Sequence, residues 1–89
     1  MQATMYRVLS VGQLREFTDK NGKCRKSVIC KLETLDGDTI LADVEDKADM
    51  LAAGQLIYTQ LRLWVREYEG REYQSTWANQ VCILSEVII

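Results

Sequence analysis

The chain has no histidine, three cysteines and only five glycines in its 89 residues. Without histidine, the most common general base and the usual nitrogen ligand for metals are both missing. Cys24, Cys30 and Cys82 are an odd number at wide spacing, which excludes the paired-cysteine pattern of a zinc site. There is no glycine-rich phosphate loop and no nucleophile motif, and Asp36-Gly37-Asp38 lacks the further ligands of a calcium loop. A protein that is not an enzyme and carries no cofactor and no metal is expected. Cys30 and Cys82 read as small core residues, and Cys24, set among charges, as an exposed thiol.

Long apolar runs are missing too. No stretch approaches the ~20 apolar residues of a membrane-spanning helix, and the first residues are not a basic segment followed by an apolar one. The expectation is a cytoplasmic protein with no membrane partner. Repeats, low-complexity tracts and linkers are absent, and 47% hydrophobic content over this length makes residues 1–89 one domain with a single core. The net charge of −2 argues mildly against a nucleic-acid partner, since phosphate neutralisation supplies most sequence-independent affinity. That charge is segregated, however. Residues 1–31 hold seven basic side chains against two acidic ones, whereas residues 32–89 hold four basic against eleven acidic.

What the sequence does have is alternation. Leu56 to Val65 and Gln74 to Leu84 are rich in β-branched and aromatic residues and flank Arg66-Glu67-Tyr68-Glu69-Gly70-Arg71-Glu72-Tyr73. This reads as one long β-hairpin turning at Glu69-Gly70, because glycine tolerates the positive φ of a tight turn. In that register Arg66 faces Tyr73, Trp64 faces Ser75 and Arg62 faces Trp77. The other face then carries Leu61 beside Ala78, Leu63 beside Thr76, and Ile57 beside Cys82. Period-two alternation therefore predicts an inward aliphatic face and an outward aromatic one studded with arginine.

Upstream, Tyr6 to Phe17 reads as a long strand with a bend at Gly12, and Asn21-Gly22 as a hairpin signal. A second strand from Cys24 to Thr34 puts Val28, Cys30 and Leu32 on one face. After a turn at Asp36-Gly37-Asp38, a third strand from Thr39 to Glu45 aligns Ile40, Ala42 and Val44. The segment from Asp46 to Gly54 reads as a helix of about two turns, capped by Asp46, stopped by Gly54 and packed through Met50 and Leu51. The tail Val87-Ile88-Ile89 either extends the last strand or meets a partner. Strand, strand, strand, short helix, strand, strand is the order of the OB-fold, an all-β, five-stranded, partly open barrel with one short helix between strands three and four.

The residues Asp46-Lys47-Ala48-Asp49 through Leu51, Gly54, Arg66-Glu67-Tyr68 with its glycine turn, Trp77-Ala78 and the basic Gly22-Lys23-Cys24-Arg25-Lys26 carry a resemblance over nearly the whole chain. The sequence resembles a family of small OB-fold proteins of Bacteroidetes bacteria and their phages, similar to single-stranded DNA-binding proteins. It departs from the bacterial proteins in showing no acidic tail, and in that respect is more similar to the primosomal replication protein, a small dimeric OB-fold. The resemblance implies single-stranded DNA as partner, with RNA left open, and a homo-oligomer, a dimer favoured.

In OB-folds the ligand crosses strands two and three, between the loop joining strands one and two and the loop joining strands four and five. Here those loops are Thr18 to Lys23 and Tyr68 to Arg71. Lys20, Lys23, Arg25, Lys26 and Lys31 are the candidate phosphate contacts, and Tyr68, Arg71 and Tyr73 the candidate loop contacts. Arg62, Trp64, Arg66 and Trp77 form a second surface, open to two uses: a subunit contact or a secondary ligand platform. A protein-interaction module built on that aromatic face, with no nucleic acid involved, is the competing reading.

Overall fold

The computed structural model describes residues 3–84 and is all-β. Six strands follow in order: β1 (Thr4–Val11), β2 (Arg15–Thr18), β3 (Cys24–Glu33), β4 (Thr39–Val44), β5 (Leu56–Tyr68) and β6 (Arg71–Ile83). They pair in the order β1-β5-β6-β4-β3-β2, and β1 also pairs with β3, so five of them close a ring with β2 attached outside on β3. All pairings are antiparallel except β4 with β6. The predicted tail Val87-Ile88-Ile89 lies outside the described residues.

Gly12 divides the predicted first strand into β1 and β2. Its N–H donates to the Ile29 carbonyl at 2.9 Å, and a Cβ on Gly12 would stand 3.0 Å from that same oxygen. A side chain at Gly12 would therefore crowd the backbone of β3, and the long strand is interrupted there, with both halves running along one edge of β3. Val28, Cys30 and Leu32 of β3 and Val44 of β4 are fully buried, as their alternation predicts, and β1 adds Tyr6 and Val8.

The β5–β6 hairpin turns at Glu69 and Gly70, whose φ values of 52° and 78° are the two positive angles that a two-residue turn needs. The predicted register holds from Tyr68↔Arg71 through Arg66↔Tyr73, Trp64↔Ser75 and Arg62↔Trp77 to Leu61↔Ala78. It then shifts between Thr59 and Leu61, so that Ile57 pairs with Ile83, and not with Cys82 as predicted. The bulge reverses the parity of β6. Val81 and Ile83 point inward and are buried, whereas Cys82 is exposed, against the expectation of a core cysteine.

Leu63 also departs from its expected place. It shares the inward face with the buried Ile57 and Leu61, yet is half exposed. β1 pairs with β5 only from Leu56 to Thr59, and β4 pairs with β6 only at Trp77 and Ala78. Among the described residues no further strand pairs with the turn-side remainder of either strand, so the distal hairpin projects from the ring as an arm exposed on both faces.

The predicted two-turn helix is a single 3-10 turn, Ala48–Met50, and Asp46 caps no helix. The Asp46 carboxylate accepts the Val81 N–H at 2.8 Å, and the Lys47 ammonium donates to the Val81 carbonyl. These two side chains satisfy β6 just past the end of β4, where no strand remains to do so. Lys47 adopts a left-handed φ of 56°, which a continuing helix would not allow. Ala48 and Leu51 plug the ring, while Met50, expected beside them, is half exposed.

Three outcomes test this packing. Leu61→Ala should cost roughly 2–5 kcal/mol in urea unfolding, and Leu63→Ala should fall within about 0.5 kcal/mol of the parent. Cys24 and Cys82 should react at once with a thiol reagent, whereas Cys30, whose thiol is pushed up to about 11 by burial and secondarily by Asp43, should react only on unfolding. An acid whose folded pKa is raised gives up stability as pH climbs from its unfolded value toward its folded one. Unfolding free energy should therefore decline between pH 9 and pH 11, by up to about 1.4 kcal/mol per unit from this group, and Cys30→Val should remove that component.

Candidate nucleic-acid interface

The outward face of the arm carries Arg62, Trp64 and Arg66 on β5 and Tyr73, Ser75 and Trp77 on β6. Arg62 and Trp77 stand directly opposite one another, and the guanidinium lies over the indole at 5.8 Å. Arg66, one turn of the pleat beyond Trp64, lies over that ring at 5.2 Å. Both indoles remain accessible, Trp64 at 49% and Trp77 at 38%. A ring with one face or edge open and a cation beside it suits stacking of a second planar group.

The β2–β3 loop is organised by Asp19. Its carboxylate accepts the N–H groups of Asn21 at 2.9 Å and Lys23 at 3.0 Å, while Gly22 takes the positive φ the turn requires. Thr18 therefore pairs with Cys24, Phe17 with Arg25 and Arg15 with Ser27. Arg25 lies over Phe17 at 5.6 Å and forms an ion pair with Glu45, whose hydrogen bond and charge raise the guanidinium pKa above its ordinary value. Arg15 pairs with Asp43 at 3.3 Å.

β4 joins these two regions. Asp43 is opposite Ile29 on β3 and beside Trp77 on β6, so the parallel β4–β6 pairing brings the first hairpin against the arm. Between them lies a cleft of about 530 Å³ bounded by Arg15, Arg25, Asp43, Glu45, Trp64, Arg66 and Trp77. Three of the lining side chains are guanidiniums and two are carboxylates, and Arg62 lies over Trp77 next to them, leaving an excess of positive charge in a chain that is negative overall.

The predicted site residues divide among several places. Arg25 lines the cleft. Lys23 and Lys26 border a shallower depression with Asp19 and Asp46, where the Lys26 ammonium sits 3.9 Å from Glu16 and 3.7 Å from Asp49. Lys20 is exposed at the β2–β3 loop, and Lys31 is exposed farther along β3, opposite Leu41. Tyr68 and Tyr73 flank a small depression at the arm tip with Arg66 and Glu67, and Arg71 is exposed next to the turn. Of the residues read from sequence as a second surface, Trp64, Arg66 and Trp77 line the same cleft as Arg25, and Arg62 lies over Trp77.

Sequence reasoning missed Arg15, Phe17, Asp43 and Glu45. Counting back from a two-residue turn at Asn21-Gly22 would have set Phe17 opposite Lys26, one residue away from the Arg25 it pairs with. No sequence signal brings Asp43 beside Trp77, because that contact exists only once the ring closes. No family model, curated protein or solved structure matches the chain.

The charge balance has a spectroscopic consequence. Iodide should quench the tryptophan emission more strongly than caesium at equal ionic strength, because the anion is drawn to the guanidiniums beside both indoles. Arg62→Glu with Arg66→Glu should reverse that order.

Proposed function

We propose that this chain is an OB-fold protein that binds single-stranded nucleic acid, DNA in the first instance, in the cleft between the β2–β3 hairpin and the β5–β6 arm. The OB reading draws on the closed circuit of β1, β3, β4, β6 and β5, on a first strand shared by both halves, and on the plug between β4 and β5. In that fold the ligand crosses the second and third strands of the barrel, here β3 and β4, and the cleft lies beside β4, between the two hairpins whose loops would flank the ligand.

One observation carries the functional reading: two half-exposed indoles and a surplus of guanidiniums face the same cleft. Bases would stack on Trp64 and Trp77, each worth about 1–3 kcal/mol, while Arg62 and Arg66 meet phosphates. Arg15 and Arg25 would exchange their carboxylate partners for phosphate, and Lys20 and Lys23 would extend the track beyond the cleft. Stacking on any base gives little sequence preference. No cofactor takes part, and the cytoplasm is the compartment proposed.

The competing reading remains a protein-interaction module on the aromatic face itself, with no nucleic acid; separately, the other face of the arm offers a protein contact of its own, with Leu63 and Val65 exposed at 50% and 63%. That second contact and nucleic-acid binding on the aromatic face fall on different faces and are compatible.

Anisotropy of a fluorescent oligo-dT tests the main reading. Neutralising four phosphates should give a slope of log affinity against log salt of about −3. Trp64→Ala and Trp77→Ala should each weaken binding by roughly 5- to 150-fold, equivalent to about 1–3 kcal/mol. Lys23→Glu with Arg25→Glu should weaken it further and flatten the slope. Affinity indifferent to salt and to all of these changes would refute the proposal.

A further inference from the structure

The arm leaves a strand edge open. β5 has β6 on one side throughout, but on its other side β1 accompanies it only from Leu56 to Thr59. Among the described residues the edge from Leu63 to Tyr68 has no strand beside it. Residues next to a two-residue turn exchange both backbone hydrogen bonds, so Tyr68, Arg66 and Trp64 direct their N–H and C=O groups at β6. Those of Glu67, Val65 and Leu63 point away, to the open side.

Proteins usually blunt such an edge with proline, lysine, a bulge or a very short strand. β2, the four-residue strand on the outside of the ring, follows that rule. The open edge of β5 is protected only by the charges of Arg66 and Glu67: the chain contains no proline, Leu63 to Tyr68 contains no lysine, and the hairpin's bulge lies at Gln60, before the open edge begins.

We propose that this edge pairs antiparallel with the same edge of a second copy about a two-fold axis at Val65. The hydrogen-bonding parity admits only registers that match odd-numbered residues with odd. Centring on Trp64 would set Arg62 against Arg66 of the second copy, a like-charge pair. Centring on Val65 sets Trp64 against Arg66 of the second copy, twice over, and repeats between chains the cation–π contact made within each. It also sets Arg62 against Tyr68 and uses only the part of β5 beyond β1. A two-fold contact needs one patch complementary to itself, and the alternation Arg62, Trp64, Arg66, Tyr68 meets that condition. The joined arms form a four-stranded sheet in the order β6-β5-β5-β6. Side chains of equal parity share a face in such a sheet, so the aromatic and arginine surfaces of both copies become one continuous platform.

Sedimentation from low micromolar to near-millimolar concentration tests the pairing, independently of any nucleic acid. The apparent mass should rise from one chain, 10.2 kDa, toward twice that value. Val65→Pro removes only an N–H that points to the open edge, so it should stay at the mass of one chain with an unchanged circular-dichroism spectrum. Val65→Lys keeps that N–H, places two ammonium groups together at the axis, and should weaken dimerisation at least tenfold. A parent protein that remains a single chain throughout, as it would if this edge served an extended segment of some other protein, overturns the proposal. So does a dimer that survives both substitutions.

Discussion

The two positive φ angles at Glu69 and Gly70 constrain more of this molecule than any other local feature. They set the register of two 13-residue strands, and the register decides parity. A slip of one residue would carry Ile57 and Leu61 out of the core and bring Trp64 and Arg62 toward it, with both a hydrophobic and a desolvation cost. The bulge at Gln60 applies the same rule in miniature. It inserts one residue in β6, and beyond it Cys82 and Ile83 exchange places relative to a regular ladder.

Ring closure adds what the hairpin alone lacks. The short parallel contact of β4 with β6 carries Asp43 to Trp77 and thereby Arg15 and Arg25 to the arm. The carboxylates of Asp43 and Glu45 hold those guanidiniums extended in the cleft. Being exposed pairs, they add little stability and remain exchangeable for another anion. Past the end of β4, Asp46 and Lys47 take over as backbone partners of Val81, which is why a sequence with helical caps at both ends forms only one 3-10 turn. A buried N–H without an acceptor costs more than so short a helix could return.

The arm is the part of the fold with the least support from the rest. Its length exceeds that of its neighbours, so Leu63 and Val65 keep their inward parity without an interior to enter. An overhanging two-stranded ribbon is marginal by itself, and partners on either face or along its edge would steady it. The proposed ligand and the proposed second copy engage different parts of this ribbon, and the pairing would widen the platform that a single strand of nucleic acid could follow.

Alternation and turn chemistry are properties of neighbours along the chain, and they were legible in residue order. The all-β class, the pairing of Trp64 with Ser75 and Arg62 with Trp77, the irregularity at Gly12 and the buried triad Val28, Cys30 and Leu32 followed from them. What residue order did not contain was where each strand runs out of a partner. That depends on the relative lengths of β1, β4 and the hairpin once they lie side by side. For that reason the exposure of Leu63, the fate of the 46–54 segment, and the meeting of Arg15, Asp43 and Trp77 at one cleft were decided only when the ring closed, while Cys82 was turned outward by the bulge in the hairpin.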